Sequence, residues 1–240
     1  MKDYPPTEHR RLVKEIFSSI HHRYDVLNHV LSLGCDFYWR KFVTKHVKAY
    51  PQGIVLDMAS GTGDLALALV RAHPQLLIIG ADFSWPMLKI AREKLSSRGL
   101  SQKIKLIRAD ALKLPFPENR FDAVTVAFGI RNMSPISEAL RELKRVLKMG
   151  GEVFILEMHN PPHFLPRLLF HLYSRTILKV GARFLSPNPS AYDYLVNSIL
   201  QFPSPGEFKK SMHQVGFEKI QQYALFPGIT YLHAGVKLDD

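Results

Sequence analysis

An acid at the end of an apolar run, followed by a small-residue loop, is the part of this 240-residue sequence with the clearest chemical meaning. The run Val55–Asp57 predicts a buried parallel strand, and the spacing of apolar residues over 65–70 predicts an amphipathic helix. Gly61 and Gly63 let the loop between them turn tightly and approach a ligand closely, which a Cβ would prevent. Ligands of parallel sheets bind outside the carboxyl ends of the strands, so the loop predicts a nucleotide-type site.

The residues around the two glycines favour S-adenosylmethionine over NAD as the ligand. A dinucleotide fingerprint has a third glycine that packs the helix closely around a pyrophosphate, and Ala66 stands at that place here. Asp57 and Asp64 would repel a pyrophosphate, but they suit a ligand that carries an ammonium and a sulfonium. We therefore predict S-adenosylmethionine at Gly61 and Gly63, with Asp57 contacting the pocket network rather than the cofactor itself.

Two later strand ends offer further contacts to the same ligand. Asp82 ends a predicted strand, and its carboxylate suits two ribose hydroxyls. Asp110 and Ala111 follow the next strand, where a side-chain oxygen and a backbone N–H could read an adenine edge. The alternatives are a solvated acid at Asp82 and a turn-capping acid at Asp110, a common role of Asp after a strand.

The elements that position these residues alternate between strand and helix. The patterns predict strands near 53–58, 76–82, 104–109, 121–128 and 152–158, and helices near 63–73, 85–98 and 134–148. This alternation is typical of an α/β protein with a doubly wound, mostly parallel sheet. Gly150-Gly151 is expected to end the last of these helices. A helix near 206–214 and a hairpin of strands near 217–224 and 229–237 complete seven strands, as in class I methyltransferases.

We interpret residues 1–240 as one domain with four parts. They are an N-terminal helical cap (8–50, with a helix over 8–33), a cofactor-binding core (51–160), a helical insertion (161–205), and a closing helix and hairpin (206–240).

Composition and charge limit the classes of partner. The single cysteine, Cys35, cannot form an internal disulfide and indicates a reducing compartment. The sequence starts without a signal-peptide pattern and contains no apolar run of the ~18 residues that cross a bilayer. No zinc-finger spacing or RNP-like strand accompanies the net charge of +11, so we expect no nucleic acid. No cluster has metal-ligand spacing, so we expect no metal. We predict a cytoplasmic protein that meets an anionic membrane surface peripherally.

One segment of the insertion accounts for the membrane prediction. No acid occurs between Glu157 and Asp193, and apolar residues separate basic residues that recur at every fourth position. A basic amphipathic segment of this kind suits a membrane interface, although a solvated helix over the substrate pocket would look the same. The basic residues are Arg167, His171, Arg175, Lys179 and Arg183.

Three segments resemble the ubiquinone/menaquinone biosynthesis C-methyltransferase family. They are Tyr24-Asp25-Val26-Leu27-Asn28, Phe128-Gly129-Ile130-Arg131-Asn132, and Arg145–Gly151 before Leu156-Glu157. The resemblance implies a class I fold and S-adenosylmethionine-dependent methylation of a polyprenyl quinol ring, with demethylmenaquinol favoured and a benzoquinol as the other substrate. It also implies cofactor contacts at Thr62, Asp82, Asp110 and Ala111, and at Ala127, where the family has a serine.

The chemistry implied by this resemblance gives Arg131 the central role. A quinol carbon becomes nucleophilic when a ring hydroxyl, with a pKa near ~10, loses its proton. Arg131 is always protonated, so it can stabilise the anion or orient a water but cannot be the base. Asn132 and Tyr24 would position the ring. The alternative bases are His159, His171 and His233.

Some residues depart from the family pattern, and other functions stay open. Asp36 stands where the family usually has His, Met149 where Pro is usual, and His159 where Ser is usual. The alternatives are a methyltransferase for another lipid or small molecule and a cofactor-binding subunit without turnover. The sequence does not choose between a monomer and a homodimer.

Overall fold

A mixed seven-stranded sheet forms the centre of the computed structural model, which describes residues 24–48, 50–160 and 190–238, together with 15, 167 and 168. The strand order is β3-β2-β1-β4-β5-β7-β6, and β7 runs antiparallel to both of its neighbours. This confirms the predicted doubly wound, mostly parallel sheet and its closing hairpin. The strands are β1 (Ile54–Met58), β2 (Leu77–Asp82), β3 (Ile104–Arg108), β4 (Phe121–Ala127), β5 (Leu147–Met158), β6 (Phe217–Leu225) and β7 (Thr230–Lys237).

Helices cover both faces of the sheet, because side chains along each strand alternate between the two faces. Val55 packs in one buried cluster with residues of α2 and α3, and its neighbour Leu56 packs in another with residues of α5 and α7. The helices are α1 (Tyr24–Leu31), α2 (Cys35–His46), α3 (Asp64–Ala72), α4 (Trp85–Ser96), α5 (Ile136–Val146), α6 (Ser190–Gln201) and α7 (Pro205–Gln214).

The structure corrects two element boundaries. The helix predicted over 8–33 stops at Leu31, where a turn through Gly34, with a φ of 76°, starts the separate helix α2. Gly150-Gly151 does not end a helix: α5 already stops at Val146, and the glycines lie inside β5, which shifts its register against β4 there. Most of the insertion and residues 8–23, apart from Glu15, lie outside the described residues.

Over the ranges that the structure describes, no helix is both long enough and apolar enough to span a membrane.

Candidate active site

An open cavity lies at the carboxyl ends of the central strands. Its open space is about 870 Å³, including the part continuous with solvent. The strand order reverses between β1 and β4, and ligands of doubly wound sheets bind at this switch point. The cavity is lined by five predicted cofactor residues and one predicted catalytic residue: Gly61, Asp82, Asp110, Ala111, Ala127 and Asn132.

Two glycines shape the loops around this cavity. Gly63 adopts a φ of 83° immediately before α3, a left-handed conformation that favours glycine. Gly129 lies against the glycine-rich loop so closely that a Cβ on it would come within 2.4 Å of the Ala59 Cβ. The glycine of the Phe-Gly segment therefore lets the end of β4 approach the loop after β1.

Asp82 holds two loops at the cavity. Its carboxylate accepts hydrogen bonds from the backbone N–H of Gly61 at 2.8 Å and of Ser84 at 2.7 Å. Burial raises the pKa of Asp82, and these N–H groups oppose that rise by stabilising the charged form. A partly buried acceptor at the cavity wall fits the ribose hydroxyls of S-adenosylmethionine.

We expect Asp82→Ala to weaken S-adenosylhomocysteine binding by about 1–3 kcal/mol, because hydrogen bonds to a charged acceptor are lost. Isothermal titration calorimetry measures this change. Asp122→Ala is the matched control, since Asp122 also accepts a backbone N–H, from Ile54 at 2.8 Å, but lies at the amino ends of the strands. Equal affinities for the Asp82 variant and the parent would remove Asp82 from the site.

Asp57 and Thr62 lie behind the cavity wall. Asp57 is 1% exposed, and its carboxylate accepts a hydrogen bond from the Thr125 hydroxyl at 2.8 Å. Burial raises the pKa of Asp57 to about 6, against the opposing effect of the Ser60 and Thr125 hydroxyls. The Thr62 hydroxyl donates to Asp25 Oδ1 at 2.5 Å. The Thr62 hydroxyl ties the glycine-rich loop to α1, and the Asp57 carboxylate joins β1 to β4.

The N-terminal helices are tied to the same loop by charges. Lys94 of α4 lies 2.6 Å from Asp25 Oδ2 on α1 and 2.7 Å from Asp64 Oδ1, at the start of α3. Arg40 of α2 lies 3.6 Å from the other oxygen of Asp64. This network places α1, whose first residue is Tyr24, beside the glycine-rich loop. Sequence reasoning missed Asp25 and Lys94, because their partners are distant along the chain.

Asp110 serves two purposes. Its Oδ1 accepts the backbone N–H of Leu112 at 3.0 Å, which is the turn-capping role, and the residue also lines the cavity. Ala111 follows it on the same wall. The capping bond fixes the turn that carries both residues.

Arg131 forms a buried ion pair with Glu157. Its Nη1 donates to Glu157 Oε1 at 2.5 Å and to the Phe128 carbonyl at 2.9 Å, and the side chain is 7% exposed. Glu157 is fully buried at the end of β5, and burial raises its pKa while the Arg131 charge opposes that rise. Arg131 thus lies next to the cavity-lining Asn132, with its orientation set by two acceptors.

Asn132 is held by a residue that sequence reasoning gave no role. The Tyr194 hydroxyl donates to Asn132 Oδ1 at 2.8 Å, across 62 positions of sequence. Burial raises the pKa of Tyr194 to about 12. The positive charge of Arg131 lowers this pKa, and the negative charge of Glu157 raises it. The Tyr194 phenol therefore stays protonated as a donor, and Asn132 is left to donate through its amide N–H groups.

The alternative bases His159 and His233 pair with each other away from the cavity wall. Their Nε2 atoms are 3.0 Å apart, and His159 Nδ1 lies 2.8 Å from the Pro203 carbonyl, which can only accept. His159 therefore carries its proton on Nδ1, and His233 donates from Nε2. Burial lowers the pKa of His159 to about 4 and that of His233 to about 3. Both are neutral structural groups in this arrangement; His171 lies outside the described residues.

Two departures from the family pattern have structural partners. Asp36 is buried on α2, accepts from the Ser32 hydroxyl at 2.7 Å and pairs with Arg40. Burial raises its pKa, but Ser32, Arg40 and His29 outweigh burial and the net shift is downward. The second departure is His159, whose partner is His233. The third, Met149, is exposed on β5.

Solved structures of similar shape identify the fold. One is an S-adenosylmethionine-dependent methyltransferase from Thermotoga maritima, described as a possible histamine N-methyltransferase, with a TM-score of 0.65 and 19% identity over 93% of this chain and 99% of that one. Another, from Aquifex aeolicus, has a TM-score of 0.60 and 18% identity over 82% and 89% of the two chains. The fold is that of the class I S-adenosylmethionine-dependent methyltransferases.

The sequence comparisons narrow this class to a family. The profile of the ubiE/COQ5 methyltransferase family matches residues 6–237. The chain is 40% identical to the ubiquinone/menaquinone biosynthesis C-methyltransferase UbiE of Geotalea daltonii over 96% of its length and 98% of the relative. It is 42% identical to the demethylmenaquinone methyltransferase of Thermus thermophilus over 92% of its own length and 99% of the relative. The protein belongs to the ubiE/COQ5 methyltransferase family, and its cofactor is S-adenosylmethionine.

Proposed function

We propose that this methyltransferase methylates a ring carbon of a polyprenyl quinol, with demethylmenaquinol as the favoured substrate. The placement of Arg131 and Asn132 supports this proposal. Asn132 lines the same cavity as Gly61 and Asp82, and the buried cation next to it is suited to a ring oxygen that becomes negative. Relatives named for ubiquinone/menaquinone biosynthesis and for demethylmenaquinone support the substrate class.

The reaction needs a ring anion and a short path for the methyl group. S-adenosylmethionine supplies the electrophilic methyl group when it is bound. Arg131 stabilises the negative charge that develops on the ring oxygen, because its largely buried guanidinium remains charged. Asn132, with its carbonyl held by Tyr194, donates to the ring and fixes its orientation. Met58, Phe128 and Met133 give the cavity an apolar wall against the ring.

Methyl transfer to reduced and oxidised quinones tests the proposal. Purified protein with methyl-labelled S-adenosylmethionine should label chemically reduced demethylmenaquinone, and mass spectrometry should place the new methyl on the ring. The oxidised quinone is the matched control and should stay unlabelled, because it has no hydroxyl to ionise. Labelling of a benzoquinol but not of demethylmenaquinol would show that the substrate is a benzoquinol, within the same class of polyprenyl quinols. No labelling of either quinol would contradict the proposed function.

We expect Tyr194→Phe to lower kcat several-fold through the orientation of Asn132, with about a twofold change at most in S-adenosylhomocysteine affinity. The phenyl ring keeps the packing but loses the hydroxyl that fixes the amide. Tyr223→Phe is a matched control, since the Tyr223 hydroxyl donates to exposed Gln221, on β6. Steady-state kinetics on a short-tailed quinol would show a loss only in the Tyr194 variant, and equal kcat values would contradict the orienting role.

We also propose a peripheral membrane contact through the basic insertion, on the evidence of its sequence alone. We expect replacement of Arg167, Arg175, Lys179 and Arg183 by Gln to weaken binding to anionic vesicles, because each basic residue contributes about 1 kcal/mol near anionic lipid. Co-sedimentation measures the effect. Rising salt should weaken the parent's binding without abolishing it, since salt screens charge but not apolar burial. Equal binding by the four-fold variant and the parent would leave the segment as a solvated helix.

A further inference from the structure

A group of exposed apolar side chains lies where α1 turns into α2. We call it the helical tip; its members and their exposed fractions are Val26 (56%), Val30 (45%), Leu33 (72%), Phe37 (60%) and Tyr38 (50%). Large apolar side chains gathered in this way are unusual on a soluble surface and mark contact sites.

Local hydrogen bonds and stacking make the helical tip one surface. Val26 and Val30 are four residues apart on α1 and therefore share a face. The Leu33 N–H donates to the Val30 carbonyl at 3.0 Å in the turn. The Phe37 ring stacks on His29 with centroids 4.3 Å apart, which joins α2 back to α1. The tip is thus a fixed feature of two packed helices.

The outer face of α2 continues from the helical tip as a basic surface. Phe37, Lys41 and Lys45 follow one another at four-residue spacing, and all three are exposed. The single acid of α2, Asp36, is buried and paired with Arg40. Among the described residues, no acid forms an ion pair with Lys41 or Lys45. The opposite face of α2 carries Trp39 and Val43, both buried in the core.

We propose that the helical tip and Lys41 and Lys45 dock the protein on an anionic lipid bilayer. Apolar side chains beside lysines are the pattern of helices that lie at a membrane interface, where the apolar groups enter the acyl boundary and the ammonium groups meet anionic headgroups. A second copy of the chain fits less well, because a two-fold contact brings the same face of both copies together and places lysines against lysines.

The bilayer contact rests on the proposed function, since a polyprenyl quinol is a lipid that resides in a membrane. α1 carries Asp25, which accepts from Thr62 of the glycine-rich loop, so the helices of the tip also contact the cofactor site. Docking at the tip would place the active site next to the membrane that holds the substrate.

Vesicle co-sedimentation of surface variants tests the docking. The full chain is mixed with vesicles of phosphatidylglycerol and phosphatidylcholine in equal parts, or of phosphatidylcholine alone. Leu33→Glu with Phe37→Glu should weaken binding to the anionic vesicles by about tenfold or more, since it removes apolar burial and adds repulsion. Lys41→Gln with Lys45→Gln should weaken it several-fold and reduce its salt dependence. Met149→Glu, at the exposed start of β5, is the matched control and should bind as the parent does.

Two further measurements distinguish failure of the docking proposal from failure of the proposed function. Activity on a short-tailed soluble quinol should be unchanged in all these variants; no activity in the parent would contradict the proposed function but leave the vesicle result valid. Parent-like vesicle binding by the Leu33/Phe37 variant would overturn the docking proposal. A fall in solution mass from dimer to monomer in that variant, with unchanged vesicle binding, would assign the helical tip to self-association instead.

Discussion

Replacement of Arg131 by alanine is expected to lower the rate of methyl transfer by about 10²–10³-fold, the usual cost of removing a group that stabilises a developing oxyanion. Cofactor binding should change little, because Arg131 bonds to Glu157 at the end of β5 and to the Phe128 carbonyl after β4, and Asp82 remains in place. Single-turnover assays with labelled methyl groups measure the first effect, and calorimetry with S-adenosylhomocysteine measures the second.

Arg131→Lys is the matched variant that keeps the charge. Lysine carries its charge on one ammonium nitrogen and lacks the planar, delocalised guanidinium, so this variant should also be impaired, though less than alanine. A turnover rate near that of the parent in Arg131→Ala would rule out anion stabilisation by Arg131. It would leave the ion pair as a purely structural contact.

The sheet was predictable from the sequence because its signals are local. The run before Asp57 and the alternation of strand and helix predicted each strand of the sheet and the antiparallel hairpin. Boundaries failed where tertiary contacts override local preference. Gly150-Gly151 resembles a helix end, yet β4 pairs with β5 on both sides of the glycines, at Leu147 and at Glu152, and β5 therefore runs through them.

The cavity wall was likewise predictable from strand ends, since residues after parallel strands meet at one edge of the sheet. Gly61, Asp82 and Asp110 lie together there for this reason. The partners that hold the wall were not predictable, because they come from distant segments. Asp25 bonds to Thr62 and Tyr194 bonds to Asn132 across 37 and 62 positions of sequence.

The ion-pair partner of Glu157 was also not predictable from the sequence. An acid at the end of a buried strand signals a site, but only the structure shows that its partner is Arg131. Burial without that partner would favour the neutral acid, whereas burial with it stabilises the charged pair. The two members of the pair consequently respond differently to loss of the other, because a carboxylate can take up a proton and a guanidinium cannot give one up.

Glu157→Ala should therefore destabilise the protein by about 3–5 kcal/mol, more than Arg131→Ala, because it leaves a buried guanidinium without a counter-charge. In Arg131→Ala, Glu157 can become neutral, and its pKa in the folded state lies further above the unfolded value. The contribution of Glu157 to the stability of that variant should be greatest below its unfolded pKa and fall as the pH rises through the raised pKa. Urea denaturation of both variants over a range of pH measures these effects.

Glu157→Gln and the double variant Arg131→Met with Glu157→Gln are the controls for this asymmetry. Glutamine keeps the shape and one acceptor, so the loss of stability should be smaller than for alanine. The double variant removes both charges and should recover most of the stability while turnover stays low, because the cation is still missing. Equal losses of stability in Glu157→Ala and Arg131→Ala at neutral pH would contradict the buried ion pair as the origin of the effect.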